Sequence, residues 1–302
     1  MKMIRLGHSP DPDDAFMFYG LATGAIDTGR YRFEHILEDI QTLNDRARAG
    51  ELEVTAISVH AYPYVADRYA ILSSGASMGG VDLARYVPDD GFVMPAFAKP
   101  QTTDATHAQG PLVVARDPLA IADLAGRTVA IPGTLTSAFL TLQLAAGRFN
   151  CEVLPFDEIP QAVAEGRFDA GLIIHEGQLT YSRLGLVCVS DLGRWWFEET
   201  SLPLPLGCNV IRRDLGPDAM AEISTLLRTS IVYSLEHRRE AVRYALQFGR
   251  DLDETLADTF VGMYVNEWTV SYGPQGRRAI RELLGRGEQA GLIRQAAEPE
   301  FV

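Results

Sequence analysis

The sequence predicts an α/β protein of two lobes, with a cleft between them and a helical C-terminal tail. Three observations lead there. Strand-like and helix-like stretches alternate through most of the chain, the pattern of layered α/β architecture. That alternation breaks from about Met78 to Gly110 and then resumes. From about Pro217 the chain reads almost entirely as helix. We expect one lobe to be discontinuous, from residues 1–109 and 206–302, and a second, residues 110–205, to be inserted into it.

The elements follow in order. "KMIRLG" reads as a strand, and "DDAFMFYGLATG" as a helix with acids at its start and a glycine at its stop. "YRFEHIL" is a strand, and "DIQTLNDRARAG" is a helix closed by Gly50. "EVTAIS" is a strand, after which "AYPYVADRY" begins helically. Residues 78–110 mix Pro, Gly and Asp with aromatics. A connection of that length is uncommon in a compact domain, and we expect either a binding loop or an irregular hairpin. "GPLVVARD" and "RTVAIPG" are strands, with "TSAFLTLQLAAG" a helix after them. "CEVLPF" and "AGLIIH" are strands flanking the helix "IPQAVAEG". "LPLPLGCNVIRRDL" reads as a connector leading into a strand. Three helical blocks then run from Ala219 to Ile293.

Composition excludes several classes of function. The 302 residues are 47% hydrophobic and 22% charged, ordinary for a globular protein. No run approaches the roughly 20 apolar residues of a membrane span, and the polar start "MKMIRLGHSPDPDD" is unlike a secretory leader. We therefore expect a cytoplasmic protein. The net charge of -13 argues against nucleic acid as a partner. Cys151, Cys188 and Cys208 form no C-x-x-C pair, so neither a disulfide framework nor a zinc site is expected.

Three loops share one design: a strand, a Ser- or Thr-bearing turn, then a helix start. They are "IRLGHSPDPDDAF", "VTAISVHAY" and "VAIPGTLTSAF". In open α/β sheets such loops sit at the carboxyl ends of strands, where ligands bind. Free N–H groups at a helix start attract anions. Ser9, Ser58, Thr136 and Ser137 either add hydroxyl donors to an anion site or serve as helix caps. Asp11, Asp13 and Asp14 lie close together. They can hold a divalent metal or complement a helix dipole; the second reading is preferred, and no metal is expected. No P-loop, G-x-S-x-G or H-E-x-x-H pattern is present.

"GLIIHEGQLTY" ends a greasy strand in His175, an ionisable group that a core strand has no need of. Histidine titrates near neutrality and suits general acid–base work. A hydrogen-bonded structural histidine is the alternative. His8 and His60 also fall near strand-to-helix loops, and His107 lies in the long segment. Trp195, Trp196 and Phe197 either line a cleft or pack a hinge.

Together these stretches resemble one family, the 1,4-dihydroxy-6-naphthoate synthases of the futalosine route to menaquinone. The segments that match are "SPDPDDAFMFY", "LEDIQTLN", "GPLVVARD", "IPGTLTSAF", "GLIIHEGQLTY", "LPLPLG" with "RRDLG", and "YVNEWT", in the family's order across nearly the whole chain. The resemblance implies a type II periplasmic-binding-protein-like fold used as a cytoplasmic lyase without metal or organic cofactor. It implies a small cyclic carboxylate as substrate, cyclic dehypoxanthinylfutalosine, released as dihydroxynaphthoate and a dihydroxyketone. The family's proton acceptor falls on His175. Its substrate segments fall on Ala56, Ile57 and Ser58 and on Thr136 and Ser137. Ser9, Asp14 and Asn44 complete the expected binding set.

The chain departs from the family pattern at Ala56, where a lysine is usual, and at Asp13 and Ala15. These changes make the pocket less welcoming to an anion, with Arg85, Lys99 or Arg116 as candidates to compensate. The long segment near residues 78–109 is a further departure. Two alternatives stay open: a chorismate-dehydratase-like enzyme, and a divergent paralogue that binds a small carboxylate without turnover.

Overall fold

Eleven strands among the described residues form two sheets, and the chain passes between them twice. The computed structural model describes residues 1–80, 84–89, 91–97, 109–249 and 252–302. The first sheet holds β1 (Lys2–His8), β2 (Tyr31–Leu37), β3 (Val54–Ser58), β4 (Tyr69–Ile71), β5 (Ser77–Gly79) and β11 (Leu204–Arg212). Its order is β2-β1-β3-β11-β4, with β5 also paired to β11. β1 runs parallel to β2 and β3, while β11 lies antiparallel to β3, β4 and β5. The second sheet contains β6 (Leu112–Ala115), β7 (Thr128–Ile131), β8 (Asn150–Val153), β9 (Ala170–Ile173) and β10 (Val187–Asp191), in the order β10-β6-β9-β7-β8.

Burial explains the central strands. Every residue of β3, "VTAIS", is buried, as expected of a strand covered on both faces. β6 and β9 are likewise buried throughout. The helices that follow are α1 (Pro12–Met17), α2 (Tyr19–Ala22), α3 (Ile40–Ala49), α4 (Ser137–Ala146), α5 (Ile159–Ala164), α6 (Gly177–Thr180) and α7 (Leu192–Thr200). The tail adds α8 (Pro217–Glu236), α9 (Arg238–Ala245), α10 (Glu254–Tyr264), α11 (Glu267–Val270) and α12 (Gly273–Gln289). Caps fix several of these starts. Asp39 accepts from the N–H groups of Gln41 (3.0 Å) and Thr42 (3.1 Å) at the head of α3. Gly50 ends that helix at φ 74°, a left-handed turn that costs glycine nothing.

Four elements depart from the sequence reading. β4 and β5 are only three residues long, too short for an alternation to register. β10 and α7 occupy "VCVSDLGRWWFEET", a stretch for which the sequence suggests no strand or helix and whose aromatics are expected to line a cleft or pack a hinge. β10 is half-exposed and carries a bulge between Cys188 and Ser190, which blurs its period. The α7 start is set by Asp191, which accepts from Gly193 (2.9 Å) and Arg194 (3.0 Å).

Beyond β5, which takes in Met78 and Gly79, the described parts of the 78–109 segment contain no strand. They lie against the helical tail. The Tyr86 ring meets Trp268 edge-on at 5.0 Å, and Arg228 sits over Phe92 at 5.5 Å. Ser271 donates to Asp89 at 3.1 Å. Lys99 and His107 fall outside the described residues.

Candidate active site

The two sheets face each other across a cavity of about 740 Å³, counted to its mouth. The first sheet contributes the end of β3 and the middle of β11, including Ala56, Ile57, Ser58 and Leu206 to Asn209. The second contributes Thr136, Ser137 and Ala138 at the head of α4, with Ile174 and His175 beyond β9. The turn after β1 supplies Ser9, Asp11, Asp13 and Asp14. Seven of the eight residues expected to bind substrate therefore line one cavity with His175.

Asn44 is the eighth, and it stands one step behind the wall. It is fully buried; its Oδ1 accepts from the Ser58 N–H at 2.8 Å, and its Nδ2 donates to Ser58 Oγ at 3.2 Å. Both contacts fix the end of β3. The hydroxyls are mostly engaged as well. Ser137 Oγ donates to the Leu206 carbonyl at 2.6 Å and accepts from the His60 N–H at 3.1 Å, tying α4 to β11. Thr136 caps α4 by accepting from Phe139 N–H at 3.2 Å. What the α4 start offers a ligand is its first backbone N–H groups, more than its side chains.

His175 follows β9 in a left-handed conformation, φ 58°. That region is sparsely occupied by residues other than glycine, and clusters at functional sites. Gln178 fixes the turn. With its amide oxygen toward His175, it accepts from the His175 N–H (3.2 Å) and the Tyr264 hydroxyl (2.9 Å), and donates to the Gly110 carbonyl (2.7 Å). The Phe156 ring packs against the imidazole at 4.5 Å between centroids. Nδ1 of His175 lies 3.1 Å from Asp11 Oδ2, and Nε2 is buried with no hydrogen-bond partner among the described residues. Asp11 is itself fully buried and also accepts from Ser9 Oγ.

The cavity is acidic. No lysine or arginine is among its described lining residues. Arg116 donates to the Val163 and Phe168 carbonyls (2.7 and 3.1 Å), and Arg85 does not line the cavity; neither replaces the cation absent at Ala56. Burial is the compensation instead. It pushes the Asp14 carboxyl up to about 7, against the pull of the Ser9 N–H at 2.7 Å, with Asp11 adding repulsion. Asp13 is raised well above the usual carboxylate range by burial and by Asp14 and Asp11. A carboxyl that keeps its proton repels an anion less.

Among the described residues, one set could hold a cation. The ligating atoms of Asp11, Asp13 and His175 lie within 4.8 Å of one another. Two of these atoms, His175 Nδ1 and Asp11 Oδ2, already lie in contact at ion-pair distance, 3.1 Å. The other histidines near the loops play no part in the wall. His8 is held down to about 3 by burial and by His35, whose Nδ1 is 2.9 Å away, and His60 rests on the Thr136 carbonyl at 3.3 Å. Trp196 is fully buried and packs the core, outside the cavity.

A family model described as "Menaquinone biosynthesis" matches residues 4–82 and 106–289. A 1,4-dihydroxy-6-naphthoate synthase of Thermus thermophilus is 39% identical over 302 residues, the full length of both chains. The chain belongs to the 1,4-dihydroxy-6-naphthoate synthase family of menaquinone biosynthesis. A synthase of the same name from Streptomyces coelicolor is 34% identical over 96% of this chain and 94% of its own. The crystal structure of an Archaeoglobus fulgidus protein superposes with a TM-score of 0.83 at 43% identity, covering 96% of this chain and 98% of that one. Membership makes the protein an enzyme of the lyase type.

The fold is that of periplasmic binding proteins. A ligand-binding component of an import system from Staphylococcus aureus gives a TM-score of 0.68 at 13% identity, over 100% of this chain and 96% of its own. An alkanesulfonate-binding protein of Xanthomonas axonopodis gives 0.67 at 11%, over 100% and 98%. At those identities the likeness concerns architecture alone. No helix among the described residues is long and apolar enough to cross a membrane.

Proposed function

We propose that this member of the family cleaves cyclic dehypoxanthinylfutalosine into 1,4-dihydroxy-6-naphthoate and a dihydroxyketone, with His175 as the general base. The observation that carries the reading is His175 lining the same cavity as the β3 end, with its Nε2 without a hydrogen-bond partner among the described residues. A base needs a free lone pair within reach of the proton it takes. Backbone N–H groups at the α4 start support binding of the substrate carboxylate. Residues 1–109 with 206–302, and residues 110–205, would act as two lobes that close on the substrate, as hinged clefts do.

Nε2 takes a proton from the carbon next to the ketone, leaving an enolate. The carbon–carbon bond to the departing fragment then breaks in the retro-aldol sense: a hydroxyl on the ring carbon gives up its proton and becomes a ketone, and the bond's electrons leave with the fragment, which takes up a proton. The ring ketones complete their enolisation, the carbon-bound protons passing to oxygen, and this aromatisation to the dihydroxynaphthoate supplies driving force. Holding the ketone and the base together removes the cost of their encounter. The reaction is expected in the cytoplasm.

A bacterium on the futalosine route that lacks its own synthase provides the test. Expression of this chain restores menaquinone if the reading is right. Folded, abundant protein without menaquinone would sink it, and would favour a paralogue that binds a small carboxylate.

Asp14 gives the site a pH dependence. As the pH rises through about 7 its carboxyl loses a proton and adds a negative charge to the cavity. An anionic ligand then binds less tightly, by about tenfold for one unit charge a few ångströms away in a partly screened site. Calorimetry with 1,4-dihydroxy-6-naphthoate should show Kd rising from pH 6 to pH 8. A flat Kd across that range would contradict this assignment.

A further inference from the structure

We infer that Asp11 is the positioning residue of the active site: it holds His175 in the tautomer that leaves Nε2 as the base. The inference rests on the reading of His175 as the base. Its support is geometric. Nδ1 of His175 is 3.1 Å from Asp11 Oδ2. An ionised carboxylate only accepts, so Nδ1 carries the hydrogen and Nε2 keeps its lone pair. Asp11 is 0% exposed. Its Oδ2 is held in turn by Ser9 Oγ, and its Oδ1 has no partner among the described residues. A buried carboxylate left half-satisfied is costly unless it serves a charge nearby. The imidazolium formed during turnover is that charge.

The chain makes this contact across the cleft. Asp11 comes from the turn between β1 and α1, on the first sheet's side, while His175 follows β9 of the second. The pair therefore forms where the two sheets meet over the cavity. The other ionisable groups around the ring are Asp13 and Asp14 on the same turn as Asp11. Glu176 is the next residue in the chain, Asp157 adjoins the Phe156 ring, and Tyr264 is reached through Gln178. Asp11 is the group at hydrogen-bond distance. The arrangement parallels the histidine-orienting carboxylate of hydrolase triads, where the carboxylate fixes the tautomer and stabilises the charged ring without taking the proton.

The test is Asp11→Asn, which keeps the shape and an acceptor but removes the charge. Turnover of cyclic dehypoxanthinylfutalosine should fall on the order of 10²- to 10⁴-fold in kcat. KM should stay within a few-fold. Nitrogen NMR of the His175 ring reads the same link without substrate. The wild type should show the proton on Nδ1, and the variant a ring with the proton shared between its two nitrogens. A merely structural role would not move that spectrum.

A variant with near-normal kcat and an unchanged ring tautomer would overturn the inference. So would wild-type turnover lost to a chelator and restored by a divalent ion, which would make Asp11 and His175 ligands. A wild type that shows the expected ring tautomer yet turns nothing over would overturn the reading of function and leave the pairing standing.

Discussion

His175→Ala is expected to abolish turnover while leaving the fold and the cavity in place. The imidazole is 15% exposed and supports little of the core, so its loss should cost no more than about 1 kcal/mol. The left-handed turn persists, because Gln178 holds it through the backbone N–H. One positioned base is worth about 10²–10⁴-fold. A mass-spectrometric assay should therefore see kcat drop by at least about a hundredfold. Product affinity by calorimetry should change only a few-fold, because the anion contact proposed above is with the α4 amides. Near-normal turnover in the variant would remove His175 from the chemistry.

The largest effect on stability is expected from Trp196→Ala. Trp196 is fully buried in the cluster that includes Leu142, Leu204 and Leu284. Its Nε1 donates to the Pro203 carbonyl at 3.0 Å, just before the chain enters β11. Arg286 of α12 lies over the ring at 5.4 Å. Truncating a buried tryptophan typically costs 3–5 kcal/mol through lost burial and the cavity left behind, and here the Pro203 carbonyl also loses its donor. Urea unfolding should show a fall of about 4 kcal/mol. A loss below about 1 kcal/mol would mean that the site collapses around the gap and that Trp196 is no anchor.

Much of this architecture was legible in the sequence because period and punctuation agreed. β3 is a short β-branched run, and α3 is framed by Asp39 and Gly50. His175 drew notice because an ionisable group closes an apolar run. The loops that bear Ser9, Ser58 and Thr136 shared a design that anticipated their meeting in one cavity. Asp11 was harder to recognise. Beside Asp13 and Asp14 it reads as one more acid at a helix start, and its contact with His175 spans 164 positions of chain. Nothing local records that. Gln178 and Tyr264 lay inside quoted motifs, but their role depends on a turn whose positive φ no propensity foretells for histidine. Arg116 looked available as a cation; packing commits it to two carbonyls of the second sheet's side. β10 and α7 escaped because a bulge and exposed positions hid the strand, and two tryptophans drew attention away from the Asp191 cap.

The central claim is that this cavity, with His175 as its base, breaks a carbon–carbon bond. The most direct test incubates purified protein with cyclic dehypoxanthinylfutalosine and follows both products by mass spectrometry. The account predicts 1,4-dihydroxy-6-naphthoate and the dihydroxyketone in equal amounts, rising with time and enzyme concentration. Substrate that binds but remains intact would contradict it.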